Sequence, residues 1–251
     1  MKKSWMLSTI ALTLYVFMFV GEVSSSEIRV AVASNFSETI KALSTRFEEQ
    51  TGHRVVVVVG STGKHYAQIK HGAPYDIFFA ADKARPELLD EEGVAIPLSR
   101  FTYAVGQLVL WSPRKDFVDE GITVLHQGSF RYLALANPKL APYGAAAKEI
   151  LQSSGLWDDL RGRMVKGENI GQTFQFVQSG NAELGFVAYS QVKARIESME
   201  GSAWVIPQSS YTPIEQQVVL LKDNRVARDF LAFVRSDKSK ILIESFGYRS
   251  L

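Results

Sequence analysis

The chain has 251 residues, of which 46% are hydrophobic and 22% are charged. This composition is typical of a folded globular protein and excludes a disordered or collagen-like chain. A formal net charge of +2 argues against a general nucleic-acid-binding protein, in which Lys and Arg are concentrated. The sequence contains no cysteine, which excludes disulfide bonds, thiolate metal sites, a cysteine nucleophile and a lipoprotein anchor.

Residues 1–26 are typical of a secretory signal peptide. Lys2 and Lys3 form a basic start, residues 5–20 are apolar and uncharged, and serines occupy positions 24–26. The apolar stretch is shorter than the roughly 20 residues that a membrane-spanning helix needs. We therefore expect cleavage near Ser26. The mature protein is expected to be exported to a Gram-negative periplasm, without a lipid anchor and not embedded in a membrane.

Patterns typical of strands and helices alternate from residue 27 onward. Predicted strands lie at 28–33, 55–59 and 76–81, and predicted helices at about 40–51, 64–70 and 84–91. The five consecutive valines at 55–59 are typical of a strand that is covered on both faces, as in a parallel sheet. This order predicts an open, doubly wound α/β layer.

Two longer β-rich stretches, at 101–111 and 214–221, interrupt the alternation. A second α/β unit lies between them, and two helices follow the second stretch. Its predicted strands lie at 132–136 and 184–188, its helices at 144–152 and 170–178, and the C-terminal helices at about 226–234 and 238–246. We therefore predict two lobes joined by two crossing segments that form a hinge. Lobe one comprises 27–105 plus 218–251, and lobe two comprises 106–217.

Four turns share one pattern, in which a strand ends, small or polar residues follow, and a helix begins. They lie at 33–36, 60–63, 141–144 and 169–172. Ligands of open α/β sheets bind beyond the carboxyl ends of the strands, and helix N-termini there favour anions. Each turn alone is also explained by helix capping: Asn35 with Glu38 fits a capping box, and Ser34 or Thr62 fits a simple cap.

Other motifs do not reach a catalytic or metal-binding arrangement. The turn at 60–63 is not a phosphate-binding loop, because His65 follows Lys64 where Ser or Thr is required. We interpret Asp76 and Asp82 as a strand-edge residue and a helix cap rather than an acid–base pair, and Phe78 as core. The four histidines show no metal-ligand spacing and are expected at the surface: His53, His65, His71 and His126.

Longer motifs around these turns resemble a known family. VAVASNF (30–36), GSTGKHYAQIKHGAPYDIFFAAD (60–82), APYG (141–144) and ENIGQTF (168–174) are similar to segments of periplasmic molybdate-binding proteins of molybdate ABC transporters, and the resemblance runs over 28–248. It implies a type II periplasmic binding protein, with two doubly wound α/β lobes, a two-segment hinge and a ligand cleft between the lobes. It further implies a solute-binding protein that is not an enzyme and has no cofactor. Such a protein captures molybdate, and tungstate as well, for an inner-membrane ABC permease; we expect a monomer that binds no nucleic acid.

The resemblance also implies which residues contact the oxyanion. Carried over by position, they are Ser34, Asn35, Ser61, Thr62, Tyr143 and the backbone N–H of Ile170. No direct cation site is expected, since molybdenum is bound as its oxyanion. Some relatives have a tyrosine at the position of Ala188, whereas here Tyr189 lies one step on and is expected to face the other side of that strand. We favour Tyr143 over Tyr189 as the phenol donor.

Neutral donors suit a fully deprotonated oxyanion and disfavour protonated phosphate, whose hydroxyl needs an acceptor. Glu168 would change this selectivity if its carboxylate turned inward. Three alternatives stay open: a binder of sulfate, another oxyanion or ferric iron; an exported serine hydrolase that uses Ser34 or Ser61; and the effector-sensing half of a transcription regulator. The hydrolase needs a base, and the turn at 33–36 contains no His or Lys. The regulator needs a DNA-binding segment in place of residues 1–26.

Overall fold

The structure, a computed structural model, describes residues 25–119 and 121–249. The predicted signal peptide lies outside these ranges, apart from Ser25 and Ser26, which are both exposed. Within the described ranges, no helix combines the length and the apolar character that crossing a membrane requires.

Two mixed five-stranded sheets form the two lobes, which confirms the predicted α/β fold. In the first sheet, the spatial order is β2 (Arg54–Gly60), β1 (Glu27–Ala33), β3 (Ile77–Phe79), β10 (Ile214–Leu220) and β4 (Phe101–Gly106). In the second sheet, the order is β7 (Met164–Gly167), β6 (Leu133–Ala136), β8 (Leu184–Ala188), β5 (Leu108–Ser112) and β9 (Ser202–Val205). The first three strands of each order are mutually parallel, and the remaining two pairings are antiparallel.

Helices cover both faces of each sheet. The first lobe contains α1 (Ser37–Thr51), α2 (Thr62–Lys70), α3 (Ala84–Glu91), α8 (Arg225–Arg235) and α9 (Asp237–Ser245); the second contains α4 (Thr123–Gln127), α5 (Pro142–Ser153), α6 (Ile170–Gln178) and α7 (Tyr189–Glu197). Alternate strand residues point to opposite faces. In β1, Val30 therefore packs with α1, α8 and α9, whereas Ala31 packs with α2 and α3. This two-sided cover is what the doubly wound prediction requires.

One strand prediction was wrong in part. The valines of 55–59 do form a strand parallel to β1, but β2 lies at the edge of the sheet. Its last valine, Val59, is 50% exposed. An edge strand has a neighbour on one side only, so the valine run does not guarantee cover on both faces.

The chain crosses between the sheets at two places. The first crossing is at Gln107, where β4 of the first sheet continues almost directly into β5 of the second. The second lies within 206–213, between β9 and β10. All of β10 belongs to the first sheet, since its pairing with β4 already begins at Ile214. Because β10 directly follows the second crossing, we call it the hinge strand. The second crossing therefore precedes the predicted lobe boundary at 217/218, which falls inside β10.

Candidate anion-binding site

The six predicted contact residues lie around one cavity between the lobes. The lining of this cavity includes Ser34, Asn35, Ser61, Thr62, Tyr143 and Ile170. It lies beyond the carboxyl ends of parallel strands from both sheets, where the four turns of the sequence converge. Their role as contacts to a bound oxyanion stays a prediction.

Three hydroxyl groups at the cavity donate to no acceptor among the described residues. Each accepts a backbone N–H, as follows: Ser34 Oγ from Gly171 at 3.0 Å, Ser61 Oγ from Lys64 at 3.3 Å, and Thr62 Oγ1 from Ala81 at 3.1 Å. A hydroxyl has one proton in addition to its acceptor lone pairs. Because the N–H groups hold the oxygens as acceptors, the O–H protons are available to a guest in the cavity.

Helix N-termini add backbone donors. The first four N–H groups of a helix have no partner within the helix. In α2 the second to fourth N–H groups all have acceptors; that of Gly63, for example, donates to Leu140 O at 2.8 Å. In α6 the second to fourth N–H groups have acceptors as well. The N–H groups of Thr62 and Ile170 remain without an acceptor among the described residues, and both residues line the cavity. The positive ends of two helices from different lobes therefore face the same space.

The phenol of Tyr143 belongs to the same group of donors. Its oxygen accepts from Nε2 of Gln216 at 3.3 Å, and a Cβ atom at Gly106 would collide with it. Burial, more than the neighbouring tyrosines, raises the pKa of Tyr143 well above its ordinary value. The group is therefore protonated at neutral pH, and its proton is not used by Gln216.

Asn35 is held by side chains rather than by a helix start. Its Nδ2 donates to Gln216 Oε1 at 2.8 Å and to Tyr248 OH at 3.1 Å, whereas its Oδ1 is buried without a partner among the described residues. Helix α1 has no side-chain cap at its N-terminus. The capping-box alternative with Glu38 is therefore wrong, because the amide is drawn towards the hinge strand and the C-terminus. Ser34 is likewise not a cap of its own helix, and Thr62 lies one step after the cap, Ser61.

No charged side chain lines the cavity in the part of the chain that the structure describes. Glu168 does not turn inward, since both its carboxylate oxygens lie 3.2 Å from Nζ of Lys64, across the lobe boundary. Asp82 accepts the N–H of Arg85 in the first turn of α3 at 3.1 Å and forms an ion pair with its guanidinium. It lies one residue before the N-cap of α3, which is Lys83, so the predicted cap is displaced by one position. Burial raises the pKa of Asp82, and the charge of Arg85 opposes that rise.

The prediction that all four histidines lie at the surface was wrong for His65, which is 2% exposed. The helical spacing of α2 places it on the same buried face as Ile69. Its Nδ1 lies 3.2 Å from Gln68 Oε1, and its ring occupies the space that Gly60 leaves open. Burial lowers the pKa of His65. Among the described residues, no cluster of His, Asp or Glu fits a metal ion.

Tyr189 does not lie where the sequence predicted. Strand β8 ends at Ala188, so Tyr189 begins α7 instead of continuing the strand. Its ring packs against Gly247 and does not line the cavity. Of the two tyrosines, Tyr143 is the one at the site.

Several contacts hold the lobes together around the cavity. Besides the Ser34–Gly171, Gly63–Leu140 and Lys64–Glu168 pairs, Arg85 Nη2 donates to Lys139 O at 3.0 Å and Ser190 Oγ donates to Asn35 O at 3.2 Å. These contacts describe a closed arrangement.

The sequence analysis missed Gln216, Tyr248 and Tyr103, whose polar groups meet beneath the cavity. The pair of glutamines in the middle of the predicted strand at 214–221 was the available signal.

Known proteins are similar to this chain over nearly its whole length. A sequence model of the family described as bacterial extracellular solute-binding protein matches residues 28–249. The chain is 43% identical over 248 residues to the molybdate-binding protein ModA of Azotobacter vinelandii, with 98% of each chain covered. It is 43% identical over 228 residues to the molybdate-binding protein ModA of Rhodobacter capsulatus, with 90% of this chain and 89% of that protein covered. The solved structure of the Azotobacter vinelandii periplasmic molybdate-binding protein matches with a TM-score of 0.84 and 41% identity, over 89% of this chain and 99% of that one.

Proposed function

We propose a ligand and a role for this chain, which belongs to the family of bacterial extracellular solute-binding proteins. The chain captures molybdate, and tungstate as well, between its two lobes. The observation that carries this proposal is the cavity lined by neutral hydrogen-bond donors from both lobes. Relatives that are 43% identical are molybdate-binding proteins by name, which supports the same ligand here.

The donors suit a tetrahedral dianion. Hydroxyls of the first lobe, together with the phenol of Tyr143 and the N–H of Ile170 from the second, surround the guest from both sides. Each helix N-terminus contributes about half a positive charge, so α2 and α6 together offset about one of the two negative charges. The hydroxyl and phenol donors stabilise the remaining charge without Lys or Arg. Charge-assisted hydrogen bonds of this kind are about twice as strong as neutral ones. Sulfate has the same charge but is smaller, so cavity size would discriminate against it.

Binding without turnover follows from the same side chains. A serine nucleophile needs an adjacent base, and among the described residues no His, Lys, Asp or Glu lines the cavity. The hydroxyl oxygens of Ser34 and Ser61 accept backbone N–H groups instead. We infer a binding protein that has no catalytic activity and needs no cofactor.

The place of this protein in transport follows from its family and its lobes. Export through residues 1–26 would bring the mature chain to the periplasm, where the closed, loaded protein delivers the oxyanion to an inner-membrane ABC permease. Ligand contacts from both lobes stabilise the closed form relative to the open one. We propose that the carrier is monomeric, since each chain has both lobes of the site.

Calorimetry with four oxyanions tests the proposed ligand. We expect submicromolar dissociation constants for molybdate and tungstate and no detectable binding of sulfate or phosphate. Phosphate is the informative control, because its protonated form needs an acceptor, and Oδ1 of Asn35 is a buried acceptor without a partner among the described residues. Tighter binding of sulfate or phosphate than of molybdate would refute the proposal, and hydrolysis of ester or phosphoester substrates would support the enzyme alternative.

A further inference from the structure

Gln216 is a fully buried glutamine in the middle of the hinge strand β10, with an exposed fraction of 0%. Its Oε1 accepts from Nδ2 of Asn35 at 2.8 Å and from the hydroxyl of Tyr103 at 3.0 Å. Its Nε2 donates to the phenol oxygen of Tyr143 at 3.3 Å. One amide therefore bonds to a cavity-lining residue of each lobe, although it does not line the cavity itself.

The backbone around Gln216 is shaped to permit these bonds. The pairing of β10 with β4 skips Tyr103, since Gln216 pairs with Ala104 and Gln217 pairs with Thr102. A bulge re-aims the side chain of its extra residue, and the hydroxyl of Tyr103 donates to Gln216 Oε1. On the facing strand, a Cβ atom at Gly106 would lie 2.8 Å from Nε2 of Gln216 and would also collide with the phenol oxygen of Tyr143. The absence of a side chain at Gly106 therefore makes room for the bond between the two.

The direction of the hydrogen bond determines what Tyr143 offers to a ligand. An amide NH₂ group only donates, so Tyr143 acts as the acceptor towards Gln216 and keeps its own proton for another partner. Because burial raises the pKa of Tyr143, this proton stays on the phenol at neutral pH. An acceptor in place of Nε2 would take the proton and turn it away from the cavity.

We propose that Gln216 is a positioning residue for oxyanion binding. It aligns Asn35 of one lobe with Tyr143 of the other when the lobes close, and it directs the phenol proton of Tyr143 towards the ligand. This inference rests on the proposed function, since it specifies how the same site presents its donors.

The substitution Gln216→Glu tests the direction of the bond. When ionised, the new carboxylate accepts from Tyr143 and places a negative charge near the dianion, so at about pH 8 we expect a loss of molybdate affinity of about 100-fold. Burial raises the pKa of a carboxyl group, and its protonated form can donate to Tyr143 again. The affinity, taken relative to wild type at each pH, is therefore expected to recover as the pH falls towards about 5.5.

Gln217→Glu is the matched control on the neighbouring residue. Gln217 bonds to Arg100 at 2.9 Å and to Thr102 at 3.1 Å, away from the cavity, and the new carboxylate would pair with Arg100. We expect molybdate affinity within about twofold of wild type at both pH values. A Gln216→Glu variant that behaves like this control overturns the inference.

A neutral variant covers the case in which Gln216→Glu does not fold. In wild type, Tyr143→Phe removes a directed phenol, whereas in the Gln216→Met background the phenol is no longer directed. The loss caused by Tyr143→Phe should therefore be at least about fivefold smaller in that background. Equal losses in both backgrounds overturn the inference. Failure of the wild-type protein to bind molybdate is a separate result, which would overturn the proposed function itself.

Discussion

Replacing Ser34 by alanine removes both functions of its hydroxyl at once. Its oxygen accepts the N–H of Gly171 at 3.0 Å, and this bond joins the first lobe to the N-terminus of α6 in the second. Its proton is free for the ligand. The variant therefore loses a ligand contact and an interlobe contact together, and both exist only in the closed form.

The expected magnitude follows from these two bonds. A hydrogen bond to a charged partner contributes about 1.5–3 kcal/mol and a neutral one about 0.5–1.5 kcal/mol. Ser34→Ala should thus weaken molybdate binding by about 2–4.5 kcal/mol, which is a rise in Kd of about 30- to 2000-fold. Thr62→Val loses a ligand contact but no interlobe contact, because Thr62 Oγ1 accepts from Ala81 within its own lobe. Its Kd should rise by about 10- to 150-fold.

Stability of the unliganded protein distinguishes the two variants further. Thr62→Val leaves the buried N–H of Ala81 without its acceptor in every state, which costs about 1–3 kcal/mol. Ser34→Ala leaves no such group unpaired once the lobes open. Calorimetry gives Kd, and thermal unfolding without ligand gives stability. The control is Ser37→Ala, at a half-buried serine outside the cavity. An unchanged Kd for molybdate in both Ser34→Ala and Thr62→Val would show that these two hydroxyls do not contact the ligand.

Three further substitutions probe closure and pH. Gly63→Ala places a Cβ about 3.0 Å from Leu140 Cα of the other lobe, so calorimetry should show weaker molybdate binding. The Tm of the unliganded protein should stay the same or rise, because alanine favours helices. Unchanged molybdate affinity would contradict the proposed role of this close approach in closure. Lys64→Ala removes the exposed ion pair with Glu168 and should change the Kd for molybdate by less than about fivefold. High salt should abolish this difference from wild type, because it screens the ion pair. Because burial lowers the pKa of His65, the Tm of the wild-type protein should decrease as the pH is lowered below about 6.5. The Tm of His65→Phe should decrease less over the same pH range. Equal decreases would contradict the role of His65 in this pH dependence.

The sequence predicted the lobes because apolar periodicity is a local signal. Helix α3 was predicted at its observed bounds, and β1 and α2 were predicted within two residues. The site was predictable for a related reason: parallel strands end at one edge, so turns that follow them converge. The shared pattern of the four turns therefore located a cavity that no single turn could have indicated. The short elements α4, β7, α7 and β9 were missed, and the first two span only five and four residues.

The remaining features depend on contacts between distant parts of the chain. The valines of β2 have the composition of a central strand, and only the order of strands in the sheet makes Val59 exposed. The burial of His65 depends on the space above Gly60. Gln216 and Asn35 are separated by 181 positions, so no local pattern could pair them. The hinge strand was recognised by its length, but the bulge at Tyr103 opposite Gln216 is visible only in its pairing with β4.

The origins of the donors suggest an order of events in binding. The hydroxyls of Ser61 and Thr62 are oriented by backbone groups of the first lobe itself, so they are ready before the lobes meet. The hydroxyl of Ser34 is oriented by Gly171 of the second lobe, and the phenol of Tyr143 by Gln216 of the hinge strand. An oxyanion can therefore bind the first lobe through preorganised donors and gain the others only on closure. Because those later contacts are specific to the closed form, their free energy is what shifts the population towards it.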